Sequence, residues 1–541
     1  MKTVLLSSLN KVFKDTEPNF SEFCSFSALK NENFSFQIGV LAETDSETDI
    51  KISVASPLEK DLHIYFVKNI PAGRNGFEHS DSFHYRLDRK EFPDLLEPTD
   101  GKVEVKKGEW NSFWIEYTPT SSLFGEYGIH ITVTAGKTVC EKVFTLDIIN
   151  EDLPEQELLY TNWFHNDCLL TYYNIEIFSD EYWQTAENYI KNAVEHGMNM
   201  ILTPVFTPPL DTEVGGERPT VQLVKVTKCG NAYSFGFENF EKYVNLCLKH
   251  GIKAFEISHF FTQWGATATP KIIADDGGTQ KRIFGWETDA SGEEYTEFLK
   301  SFAKAFTEET EKLNIKNRCW LHVSDEPSEE HIENYEKHAE LLHALFPDFR
   351  FFDALSHIEY YRRGIVKTPV CSEENADIFR AETENFWTYH CCGQVSEFVP
   401  NRLFSQPSQR NRILGVLLYK YDAEGFLQWG HNFWYSQYSK SAIDPFTVTD
   451  AGGSFPSGDS FSVYPDKNFK PLNSLRHLVF ADALQDLRAL RLLEKLTSRE
   501  YVLNLLEKDL DIPLSFKNYP HEQYWLLNLR SEINRSIRNN L

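Results

Sequence analysis

The 541-residue chain has no apolar run approaching the ~18 residues that cross a bilayer, so no membrane-spanning helix is expected. It also shows no secretory leader. MKTVLLSSLN carries one lysine and a short apolar run, Val4 to Leu6, below the ~7–15 residues of a leader core. A cytoplasmic location is the expectation. The nine cysteines contain no CxxC pair, which argues against a zinc ribbon, and an odd number spread this widely is no disulfide framework. They are expected to be reduced and mostly buried. Positive charge is scarce: 54 basic residues face 80 acidic ones, for a net charge of −26. Such a surface repels phosphate backbones and anionic lipid, so neither nucleic acid nor a membrane is an expected partner. No GxGxxG turn, HExxH spacing, internal repeat or low-complexity segment occurs.

Aromatic residues, in contrast, are abundant, with 42 Phe, 24 Tyr and 11 Trp. Most of the phenylalanines are expected in the core, whereas Trp and Tyr near strand ends are candidates for stacking on sugar rings. A single core stops growing near ~250–300 residues, so more than one domain is expected. Residues 1–154 read as a β-sandwich of short alternating strands, among them 34–43, 49–56, 61–70, 109–119, 125–135 and 140–150. From 155 to 470 apolar strands alternate with amphipathic helices. Strands are predicted at 158–164, 198–206, 253–260, 319–327, 349–355, 368–372, 386–392 and 425–434. Helices are predicted at 180–197, 238–251, 292–313, 328–346 and 410–423. Eight such strands predict a (β/α)₈ TIM barrel. Residues 471–541 read as helices packed on that barrel, with a clear 3.6-residue period over 474–496.

Catalytic groups of such barrels sit at the C-terminal ends of the strands. There the sequence places Trp163, His259, the pair Asp325-Glu326, Asp353, Tyr389, Trp429, Asn432 and Trp434. Polar edges with flat indole and phenol faces suit a polyhydroxylated ligand. A helix N-terminus also attracts carboxylates, so an acidic pair before a helix has an ordinary structural explanation. What favours chemistry is its position at the end of an apolar strand. Two neighbouring carboxyls can be tuned to different protonation states, one acid and one ionised. Adjacent residues are poorly placed to flank a glycosidic bond, since ordinary glycosidase pairs stand ~5–9.5 Å apart. They suit a substrate-assisted route, in which the sugar's own 2-acetamido oxygen attacks the anomeric carbon.

Three ordered segments carry a resemblance. HVSDEP (322–327), GFLQWGHNFW (425–434) and the run from Pro456 to Leu490 resemble the domain-of-unknown-function family 4091, which is similar to glycoside hydrolase family 123, the β-N-acetylgalactosaminidases. The resemblance implies a retaining, exo-acting β-N-acetylhexosaminidase without a cofactor. Glu326 would be the general acid/base and Asp325 would hold the acetamido group. Trp163, His259, Tyr389, Trp429, Asn432 and Trp434 are the candidate substrate wall. Other readings stay open. A conventional glycosidase would pair Glu326 with Asp353, and a sugar-binding protein would keep the barrel without turnover. His165, His259 and His431 could join Asp325 around a metal, although no metal is expected. Cys391 and Cys392, beside His390, are expected to be ordinary strand residues rather than nucleophiles.

Overall fold

The computed structural model describes residues 1–18 and 22–541. Two five-stranded sheets come first. One runs in the order Lys2–Ser7, Phe34–Leu41, Trp110–Tyr117, Leu62–Pro71, Glu91–Pro98. The other runs Ser25–Lys30, Thr138–Asp152, Gly125–Ala135, Asp49–Ala55, Lys102–Glu104. Alternate residues of both sheets, including Phe36, Ile38, Phe113, Ile131 and Phe144, meet in one apolar layer, which makes the unit a sandwich. The apolar segment at the N-terminus is therefore a strand of this sandwich, paired antiparallel with Phe34–Leu41. Glu91–Pro98 contains Pro93 and lies at a sheet edge, where a residue without an N–H is tolerated.

The following chain forms the barrel. Its strands are Leu159–Asn162, Met200–Thr203, Ala254–Ile257, Cys319–Leu321, a fifth in two pieces, Pro369–Ser372, Phe386–Tyr389 and Ala423–Gln428. All neighbouring pairs are parallel. The fifth strand is interrupted at Phe352. Arg350–Phe351 pairs with the fourth strand and Asp353–Leu355 with the sixth, so its two halves close the ring. Met200, Ala254, Trp320, Phe352, Val370, Trp387 and Leu427 point inward and fill the lumen. Gly425 is needed there, because a Cβ at that position would sit 2.3 Å from the Trp387 ring.

The predicted helices on the outside are found at Asp180–Glu195, Glu238–His250, Glu293–Lys312 and Ile332–Leu345, and Ser179 caps the first by accepting from Tyr182 N. The predicted helix 410–423 is instead two short ones, Ser408–Arg412 and Leu414–Lys420. A four-stranded sheet not expected from the sequence, built from Lys225–Cys229, Ala232–Gly236, Ile272–Asp276 and Thr279–Phe284, grows out of the loops after the second and third barrel strands. The C-terminal helices are Leu475–Leu496, Arg499–Glu507 and Gln523–Asn539.

Sandwich, barrel and C-terminal helices are joined by buried charge. Arg476 donates to both oxygens of Asp94 at 2.8 and 3.1 Å, to Gly458 O at 2.6 Å and to Phe461 O at 3.0 Å. Tyr464 donates to the same carboxylate at 2.6 Å. Lys11 donates to Phe404 O and Gln406 O at 2.7 and 2.9 Å. All nine cysteines are free, but only Cys168, Cys247, Cys319 and Cys371 are buried, fewer than the sequence suggested. Among the described residues no helix is long and apolar enough to cross a membrane.

Candidate active site

The fourth barrel strand continues as His322-Val323-Ser324 and delivers Asp325 and Glu326 to the C-terminal rim. Glu326 has φ +41°, a left-handed conformation uncommon for any residue but glycine, and Pro327 follows it. Such strain persists only where the surroundings fix it, and it concentrates at functional sites. Here Trp264 N donates to Asp325 O at 3.0 Å and Ser324 Oγ to Thr262 O at 2.8 Å. The third-strand loop therefore holds the turn from behind.

Both carboxyls are half-buried and open into a cavity of about 180 Å³. Trp163, Tyr389 and Trp429 line it with them, as does Asp211 from the loop after the second strand. Burial raises the Asp325 carboxyl well above the usual range, reinforced by the charge of Glu326 and opposed by His322. Burial also raises Glu326, against a 2.5 Å hydrogen bond donated by Tyr389 Oη to Glu326 Oε1. Because the charge of Glu326 acts on Asp325, the two acids do not titrate independently. Asp211 is pushed up by burial to about 6 while accepting from Tyr438 N at 3.1 Å.

Beneath the floor lies a charged chain that the sequence did not reveal. His322 Nδ1 donates to Asp353 Oδ1 and Nε2 to Glu256 Oε1, each at 2.7 Å. Asp353 also accepts from Tyr335 Oη and, at 3.1 Å, from Val323 N. Glu256 accepts from Thr161 Oγ1 at 2.5 Å and from Trp163 Nε1 at 2.6 Å. Burial pulls the His322 ring down, but the two carboxylates outweigh it and hold the imidazolium near a pKa of about 9. Glu256 therefore sets the angle of the Trp163 indole on the cavity wall. The available signal was one acid and one histidine at lumen-facing positions of apolar strands, AFEI and CWLH.

Trp429 is fixed in a similar way, with Nε1 donating to the buried Asp459 Oδ2 at 3.0 Å. His165 Nε2 donates to Trp429 O at 2.8 Å, and its Nδ1 accepts from Arg218, which is itself paired with Asp167. Burial, helped by the Arg218 charge, pushes His165 down to about 3, so the ring is neutral.

Three residues expected on the wall lie elsewhere. His259 is buried behind Trp163, stacked 4.0 Å from His322. Asn432 clips the ends of the eighth and first strands together, accepting from His165 N at 2.8 Å and donating to His165 O at 3.1 Å. Trp434 packs outside the barrel on Tyr172 and Tyr189. The reason is common to the last two. The eighth strand ends at Gln428, so rim positions beyond Trp429 no longer follow the alternation of the strand.

The metal set left open by the sequence does not come together as read, because His165 faces Arg218 rather than Asp325. Among the described residues His259, His322 and Asp353 bring ligand atoms within 4.8 Å of one another. Both nitrogens of His322 are donating to carboxylates, which leaves that ring no lone pair for a cation.

A parallel barrel with two adjacent acids at its C-terminal rim, between fixed indoles, has the layout of a carbohydrate-cleaving enzyme. The Glycoside hydrolase 123 catalytic domain matches residues 163–493, and the chain belongs to that family of glycosidases. No curated protein matches. A family 123 glycoside hydrolase from Clostridium perfringens, described for glycolipid glycan hydrolysis, shares the fold over 99% of this chain and 97% of its own, with a TM-score of 0.74 at 14% identity. β-Glucuronidase 3 of Bacteroides uniformis overlaps loosely, with a TM-score of 0.30 at 12% identity over 84% of this chain and 50% of that one.

One consequence can be tested directly. A hydrogen bond to an ionised carboxylate lowers its pKa, so its removal raises it. Tyr389→Phe is expected to move the alkaline limb of the kcat/KM–pH profile, where Glu326 loses its proton, to higher pH. An unmoved limb would mean that Tyr389 does not act on the pair.

Proposed function

We propose that this glycosidase is a retaining exo-β-N-acetylhexosaminidase that uses the 2-acetamido group of its substrate as nucleophile. The observation that carries the reading is the adjacency of Asp325 and Glu326 on one strained turn. Asp353, the partner a conventional mechanism would call on, lies under the floor and is committed to His322, Tyr335 and Val323 N. The small cavity, about 180 Å³, favours one terminal sugar over a chain.

In the first step the acetamido oxygen forms a bond to C1 while the glycosidic bond breaks. The departing oxygen takes its proton from Glu326. Asp325 accepts the amide N–H and balances the charge of the oxazolinium. Water then attacks C1 from the face the leaving group vacated, Glu326 removes its proton, and the ring reopens. Two inversions give retention.

The electrostatics suit this division of labour. In the free enzyme burial raises both carboxyls, and the charge of Glu326 raises Asp325 further, so Asp325 competes with Glu326 for a proton. An amide N–H delivered to Asp325 favours its ionised form and sends the proton to Glu326, where the leaving group needs it. The glycolipid glycan of the Clostridium enzyme is the first substrate class to offer.

The test compares aryl β-glycosides that differ only at C2. An acetamido compound is expected to be cleaved at least ~100-fold faster than its 2-hydroxy counterpart, since participation of a positioned neighbouring group is lost without it. Equal rates would overturn the reading, and a requirement for Asp211 with 2-hydroxy substrates would put that residue in its place.

A further inference from the structure

Hydrolysis makes no use of two side chains on the cavity wall. Cys391 and Cys392 follow the seventh barrel strand, and both line the same cavity as Asp325 and Glu326. Both are half-buried and free. They are neighbours in the chain and both face the cavity, and the Cys392 thiol and the charge of Glu326 both act on the Cys391 thiol. The Cys391 backbone is pinned. Cys391 N donates to Gln394 Oε1 at 2.8 Å, and the buried Asn401 donates to Cys391 O at 2.9 Å and to Gln394 O at 2.9 Å. Cys391, and with it the start of the vicinal pair, is thus held at a fixed place on the cavity wall rather than carried on a free loop. Neighbouring residues form a disulfide only with distortion, but a larger atom can bridge both sulfurs.

We propose that Cys391 and Cys392 form a two-sulfur site for trivalent arsenicals, whose occupation blocks the sugar cavity. With an aryl arsenoxide, two S–H bonds and the arsenic–oxygen bonding are lost, and two arsenic–sulfur bonds form. Both thiol protons leave with the oxygen as one water, and no electrons are transferred. The Cys392 thiol, burial and the charge of Glu326 hold the Cys391 thiol well above its ordinary range, so it enters protonated. The arsenic-bound oxygen is the base that takes its proton. The aryl group then occupies space between the thiols and the two acids. Loss of activity on occupation rests on the reading of this cavity as the catalytic one, whereas arsenic binding does not.

The experiment titrates phenylarsine oxide into the intact protein. Intact mass and free-thiol count are followed alongside hydrolysis of an aryl N-acetyl-β-galactosaminide. One arsenic bound, two thiols lost and a parallel loss of activity are expected. 2,3-Dimercaptopropanol should restore both, and excess 2-mercaptoethanol should not. Cys391→Ser and Cys392→Ser should each weaken arsenic binding by ~100-fold or more, because the second bond is no longer intramolecular. An adduct released by the monothiol, unchanged binding in both variants, or loss of two thiols without added arsenic mass would overturn the site. Full activity with arsenic bound would overturn the blockade. Failure of the acetamido substrate alone leaves the mass and thiol readouts to decide the site.

Discussion

Glu326→Gln is expected to reduce kcat on an alkyl N-acetyl-β-hexosaminide by ~10²–10⁴-fold, the worth of a placed general acid. Much of that loss should return with a leaving group such as dinitrophenol, which departs without a proton. Asp325→Asn should cost ~10²–10³-fold, as loss of an electrostatic stabiliser does, and a better leaving group should not rescue it, because the charge it balances forms on the ring. The contrast between the two variants is the informative readout. Equal rescue of both would mean that the two acids do not divide the work, and full activity in both would remove them from the mechanism. Steady-state kinetics over a series of phenols of graded acidity decides the matter.

The largest effect on stability is expected at Asp94. Its carboxylate is 1% exposed and takes two hydrogen bonds from Arg476, itself 2% exposed. Asp94→Ala would leave a guanidinium buried without its counter-charge, at a cost of about 3–5 kcal/mol. Replacing both partners by apolar residues of similar volume, Asp94→Leu with Arg476→Met, should restore much of the loss, because no orphaned charge remains. The urea midpoint of the two variants checks this. A double variant no better than the single one would show that the bonds of Arg476 to Gly458 O and Phe461 O matter more than its ion pair.

The barrel was readable because its strands are apolar runs, the first five of them separated by amphipathic helices, and that alternation survives in sequence. The sandwich was partly readable. Its central strands alternate cleanly, but Lys2–Ser7 is too short an apolar run to declare itself a strand and Glu91–Pro98 is broken by proline. The four-stranded sheet stayed hidden because its strands are short and sit inside loops of the barrel. At the site, the pair Asp325-Glu326 stood out by its place at a strand end, and Trp163, Tyr389 and Trp429 line the cavity with it. His259, Asn432 and Trp434 did not follow, since a sequence does not say where a strand stops and its chain turns away. Glu256 and His322 went unnoticed for a different reason. A buried charge is recognised by its partners, and those come from three other strands.

The split fifth strand has a consequence for motion. A barrel strand is ordinarily held on both edges along its length, but here each half holds one neighbour, through two residues on one side and three on the other. This is one thin seam of the ring, along with the single paired position between the first and second strands, and local opening starts where few backbone bonds must break. Asp353 stands on that seam and anchors the His322–Glu256–Trp163 chain. Breathing at the seam would therefore reach the indole on the far wall as a change of tilt. The rigidity of the sugar pocket is in this way tied to the closure of the barrel itself.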